Sequence, residues 1–127
     1  MKTFLIIGLG GFFGAILRYA LSDFIQSWSR VSQFPLGTLV VNLVGCLLIG
    51  ALAQLAEARD LFTPETSALV FLGFLGAFTT FSTFSADNFN LIRAGNNLFF
   101  YLNIGGSVLL GLFAVWLGRT LISFVTT

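Results

Sequence analysis

The sequence predicts an all-α membrane protein: one transmembrane domain over residues 1–127, with four membrane-crossing helices and the third broken midspan. Three observations carry this. The chain is 57% hydrophobic and only 9% charged, where an ordinary soluble domain carries about 25% charged residues. Its mean hydropathy is +0.97. Its few charges leave long neutral runs, each near the roughly 20 apolar residues that a membrane span needs, and one of these runs is loaded with glycine and hydroxyls.

The first helix is expected over 4–27. Thr3 to Leu17 is uncharged, and the apolar pattern continues past Arg18 through Tyr19, Ala20, Leu21, Phe24 and Ile25. A cleaved signal peptide is the competing reading, but Arg18 stands where a small-residue cleavage site belongs, and its removal would leave an odd number of helices. The second helix, 35–56, follows from the neutral run Val31 to Ala56, with Pro35 suited to a first helical turn. The third, 66–92, begins after Thr63-Pro64-Glu65, a cap followed by proline at the first helical position. The fourth, 97–123, follows from the neutral run Ala94 to Gly118. The connections Ser27–Phe34, Glu57–Glu65 and Arg93–Asn97 are too short to hold a domain. A soluble bundle fails because too few polar residues remain for an outer face. No internal repeat is visible, which argues against an inverted-repeat transporter within one chain.

Composition also removes whole classes of chemistry. There is no histidine and a single cysteine, Cys46, so a Ser-His-Asp or Cys-His triad, an internal disulfide and a Cys/His metal site are all excluded. With a net charge of +1 and no basic patch, nucleic acid is not an expected partner. Four spans put both termini and the second loop on one side, with Lys2, Arg59 and Arg119; Arg30 and Arg93 lie on the other. So small a difference gives the positive-inside rule little to act on. It allows one weakly encoded orientation, or insertion both ways and pairing with an inverted copy.

The chemistry gathers in the third span. Between Gly73 and Ser85 lie five hydroxyl residues, Thr79, Thr80, Ser82, Thr83 and Ser85, interleaved with Phe78, Phe81 and Phe84. Threonine is β-branched, its hydroxyl competes for backbone partners, and Gly76 adds freedom, so a break is expected around Gly76 to Thr80. A break at membrane depth is tolerated where it is buried or lines a cavity. Its first half then offers bare carbonyls to a cation and its second half free N–H groups to an anion. Phenyl ring edges are weakly positive and hydroxyls can donate, a mixture that lets an anion enter without being trapped. Any one Ser or Phe here reads first as packing; the whole run exceeds what packing needs.

Other spans add fewer candidates. Asn42 reads either as a donor to an ion or as interhelical glue. Arg18 could attract an anion, or snorkel or bind carbonyls. Asp87 lies at the far end of the third span, at a vestibule or the interface. Gly10 and Gly14, Ser107 and Gly111, and Gly45, Gly50, Gly105 and Gly106 read as close-packing points. Cys46 reads as a small core residue, and Trp28 and Trp116 as interfacial anchors.

Three stretches, Gly10-Gly-Phe-Phe-Gly-Ala-Ile-Leu-Arg-Tyr19, Phe34-Pro-Leu-Gly-Thr-Leu-Val-Val-Asn42 with Gly45-Cys46, and Gly73-Phe-Leu-Gly-Ala-Phe-Thr-Thr-Phe-Ser-Thr-Phe-Ser85, resemble the Fluc family of small bacterial fluoride channels over nearly the whole length. The resemblance implies an antiparallel dual-topology homodimer in the bacterial inner membrane, with two pores for passive, selective fluoride export. It implies pore roles for Phe81, Phe84 and Asn42, a polar track including Ser82 and Thr83, and a first-span arginine at Arg18. It further implies a structural sodium ion held by backbone carbonyls of Gly76 and Thr79. Asp87 stands where the family often has glutamate, and Ser107 and Tyr101 are the expected lining residues of the fourth span. The alternative function is a small proton-coupled multidrug exporter, which needs a titratable group in its core, whereas these acids lie in loops or near span ends. A non-transporting helical subunit is the third reading. An enzyme is not expected.

Overall fold

The computed structural model describes residues 1–126 and is helical throughout. Helix α1 (Lys2–Trp28) and helix α2 (Leu36–Arg59) are followed by a composite third span, Pro64–Arg93, and by α6 (Asn97–Thr126). The third span consists of α3 (Pro64–Ser67), a π-helical segment (Ala68–Leu75), α4 (Gly76–Phe78) and α5 (Phe81–Arg93). All four spans are long and apolar enough to cross a membrane. The helix ends lie within a few residues of those expected from sequence.

Local chemistry explains the boundaries. Thr63 caps α3 as expected: its hydroxyl accepts from the Thr66 N–H at 3.2 Å, with Pro64 at the first position. Pro35 sits one residue outside α2 rather than in its first turn, at φ −77° and ψ 63°. α2 stops at Asp60, which takes a left-handed conformation that short polar side chains tolerate. The turn after α5 needs Gly95, at φ 74°, and the Asn96 N–H reaches back to the Leu91 carbonyl at 2.9 Å.

The π-helical segment is a finding without a sequence signal, because its Ala, Leu, Val and Phe residues suit either helix type. It packs tightly on α1. A Cβ added to Gly10 or Gly14 would collide with backbone of Leu69 or Phe74, and one added to Gly73 would collide with the Ile7 carbonyl. α2 and α6 meet as closely where Gly50 faces Val115 and Gly118 faces Leu47. Gly105 and Gly106 depart from expectation: a Cβ at either meets nothing within the chain. They are not points of close approach within the chain.

Among the described residues, the largest fully buried side chains are Val41, Leu75, Phe78 and Asn103. Many large apolar residues, among them Phe12, Phe24, Leu109 and Phe124, point outward. This inversion suits lipid, where an outward apolar side chain carries no hydrophobic cost. One end of the bundle is pinned by two ion pairs, Lys2 with Glu65 at 3.9 Å and Arg119 with Glu57. They bring the two ends of the chain together with the second loop. At the other end, Gln26 bonds to the Phe34 carbonyl and the Gly37 N–H, both at 3.1 Å, and Asn96 donates to Gln33 at 3.1 Å.

Candidate functional site

The third span breaks at Thr79 and Thr80, both in extended conformation (ψ 155° and 120°). This lies within the stretch expected to break, but Gly76 itself stays helical at φ −62° and ψ −33°. The threonines make the break, since β-branched residues adopt extended backbone readily and a hydroxyl can cap the next helix. The Thr80 hydroxyl accepts from the Thr83 N–H at 3.2 Å and donates to the Thr83 hydroxyl at 3.1 Å. Ser82 sits beside it, with its hydroxyl 3.3 Å away.

Asn42 holds the break from α2. Its Oδ1 accepts from the Thr80 N–H at 2.9 Å and its Nδ2 donates to the Thr80 carbonyl at 3.1 Å. One residue's two backbone groups are thus satisfied by one amide, which keeps one further N–H to donate. Gly45, one turn along α2, leaves room for Thr79, whose methyl a Cβ there would strike.

The break frees specific backbone groups. In an unbroken helix the Gly76 carbonyl would accept from the Thr80 N–H and the Thr79 carbonyl from the Thr83 N–H. Those donors are spent on Asn42 and on the Thr80 hydroxyl. The N–H groups of Phe81 and Ser82, in the first turn of α5, are without intrahelical partners in turn.

Two cavities border this point and a third lies further along the bundle. The first, about 410 Å³, brings together Asn42, Gly76, Thr79, Phe81, Phe84 and Ser107, with Thr80 and Cys46 also on its wall. The rings of Phe81 and Phe84 lie 5.7 Å apart. The second, about 180 Å³, joins Arg18, Thr38, Thr80 and Thr83. The third, about 450 Å³, lies toward the Gln33–Asn96 end and is lined by Ser22, Thr38, Asp87 and Asn90. Thr80 is shared by the first two, and Ser22 and Thr38 by the last two. Polar groups therefore run from Asp87 past Arg18 to the break.

Most of the residues singled out in the sequence meet around these cavities; Ser82 lies beside Thr80 at the break, and Tyr101 stands apart. The Tyr101 ring packs on Phe100 and faces outward. Sequence reasoning passed over Thr80 as the cap and shared wall residue, although threonine is a preferred residue at a helix N-cap. It also passed over Asn88 and Asn103, buried at 5% and 1% exposure. Nothing local marks a buried pair fifteen positions apart. Cys46 is half-buried and lines a cavity rather than sitting in the core.

Fold and site together define a multi-pass helical membrane protein whose third span opens midway onto a largely apolar cavity with a few polar groups on its wall. The family model described as CrcB-like protein, Camphor Resistance (CrcB), matches residues 5–119, and the chain belongs to that family. It is 48% identical over 119 residues to the fluoride-specific ion channel FluC 1 of Methanosarcina acetivorans, covering 94% of this chain and 89% of the relative. It is 44% identical over 116 residues to the fluoride-specific ion channel FluC of Stutzerimonas stutzeri, with 91% and 92% covered. To the fluoride-specific ion channel FluC of Campylobacter jejuni it is 47% identical over 118 residues, with 93% and 95% covered. These are names of ion channels, a non-enzymatic family.

Proposed function

We propose that the chain is a fluoride-selective channel for passive export, assembled as an antiparallel homodimer with two pathways. The observation that carries this reading is the cavity at the break, where Asn42, Phe81, Phe84 and Ser107 meet the free first turn of α5. The names of the relatives point the same way.

Fluoride is small and strongly hydrated, so a pathway must replace its water with donors. The remaining Asn42 N–H, the Ser107 hydroxyl and the N–H groups of Phe81 and Ser82 are such donors. Ring edges of Phe81 and Phe84 add weak attraction on otherwise neutral walls, so the ion can leave. Thr83 and Arg18 extend the path, and Asp87 and Thr38 open it toward the outer cavity. Tyr101 takes a lining role only where a second chain covers it.

A second copy is supported by what one chain leaves open. Phe81 is 79% exposed, and Gly76 is exposed on the same cavity. In a lone chain the freed backbone groups of this notch would face lipid, which cannot satisfy them. The near-equal basic residues at the two ends suit insertion in both directions.

Liposomes containing only this protein should release fluoride far faster than chloride, with or without a proton gradient. Equal release of the two ions overturns the selectivity. Release that requires the gradient favours the proton-coupled exporter instead.

We also propose that sodium sits where two copies meet, held by the carbonyls of Gly76 and Thr79. Support comes from the break, which releases both carbonyls from helical bonding, and from their neutral oxygen chemistry, which suits a hard cation. The ion would pin the interface and bias the nearby field toward anions. Replacing sodium with a large organic cation should weaken the dimer on size-exclusion chromatography or slow efflux; indifference of both removes the site.

A further inference from the structure

Two asparagines outside the cavity form a directed chain that ends on the pathway. Asn88 donates its Nδ2 to the Phe84 carbonyl at 2.8 Å, and Asn103 donates its Nδ2 to Asn88 Oδ1 at 3.1 Å. The orientation is forced. A carbonyl only accepts, so Asn88 must turn its N–H toward Phe84, which leaves its oxygen to receive Asn103. Burying amides in an apolar span costs free energy unless they are bonded, and α6 is apolar enough to cross a membrane.

The Phe84 carbonyl needs no such help. Within α5 it can accept from the Asn88 backbone N–H, as any helical carbonyl does. What the side-chain bonds add is lateral: they tie the turn of α5 that carries Phe84 to α6. Asn103 stands one helical turn before Ser107, which lines the cavity beside Phe84. Neither asparagine lines that cavity.

We propose that Asn88 and Asn103 are positioning residues that set the gap between Phe84 and Ser107, and with it fluoride throughput and discrimination. This rests on the channel reading above. The pair acts through Phe84 and touches no ion.

The test compares wild type, Asn103→Leu and the double variant Asn88→Leu/Asn103→Leu by fluoride and chloride efflux from liposomes and by size-exclusion elution. The single change orphans Asn88 Oδ1 and risks misfolding. The double change removes both polar partners and replaces them with side chains of similar size, which can be close to neutral for stability. The double variant should elute as wild type, yet lose roughly tenfold or more in fluoride efflux, since small misplacements of a working group cost about that much or more. Its fluoride-to-chloride ratio should fall with it. A double variant with wild-type efflux and ratio shows that the pair is only interhelical glue and overturns the proposal. So does a double variant that fails to assemble. A wild type that releases no fluoride overturns the channel reading itself, and the two failures are told apart by that control.

Discussion

Phe84→Ile should cut fluoride efflux about tenfold while the protein assembles normally, and Phe81→Ile should do the same. Edge contacts between aromatic rings are worth about 0.5–1.5 kcal/mol beyond buried area; a full negative charge at the same positive edge is set at the upper end of that scale, and about 1.4 kcal/mol is a factor of ten in rate. Isoleucine keeps bulk and apolarity but has no positive edge to offer an anion. Neither ring holds the fold together: Phe81 is exposed and Phe84 only half-buried in the chain. The contrast is Phe78, at 1% exposure and stacked on Phe74 with centroids 5.9 Å apart. Replacing that ring with alanine opens a cavity at a cost of about 3–5 kcal/mol. Efflux from liposomes at matched protein density, with elution profiles beside it, separates the two kinds of phenylalanine. Undiminished efflux in both isoleucine variants would falsify the pore-wall role.

The second large effect is at Asn42. Asn42→Ala strips the partners from both backbone groups of Thr80 at the break, and each orphaned group costs about 1–3 kcal/mol. Thermal stability in detergent should drop and efflux should collapse with it. Asn42→Asp is more discriminating. A carboxylate can still accept from the Thr80 N–H but cannot donate to the Thr80 carbonyl. It also puts a negative charge on the cavity proposed to pass an anion. This variant should be more stable than the alanine variant and conduct no better. Should Asn42→Ala keep both its melting temperature and its efflux, the break is held by something else.

Much of this was legible in the order of residues. The four spans follow from where the charges fall, and the broken span from five hydroxyls beside a glycine. The exact place of the break was not, because glycine permits a break without demanding one. Gly76 remains helical; Thr80 supplies the cap, and Asn42, thirty-eight positions away, supplies the lock. Such a pairing depends on how helices cross, which no local pattern encodes. Asn42 could be singled out as a costly polar residue, but not its partner. The fourth span shows the same limit. Tyr101 and Asn103 are two positions apart, about 200° around a helix at 3.6 residues per turn. One therefore faces outward and the other inward, and without a periodic signal in so apolar a helix the outward residue was the more conspicuous. The π-helical turns carried no signal, since backbone close to backbone leaves its trace only in Gly10, Gly14 and Gly73.

The break is also a change of allegiance. Before it, the π-helical segment and α4 pack chiefly on α1; after it, α5 leans on α6. The third span therefore changes its packing partner partway, and Thr79-Thr80 is the seam, bonded across to α2 by Asn42. Substitutions far apart along the chain thus act on opposite sides of one joint, and that joint borders the path the ion would take.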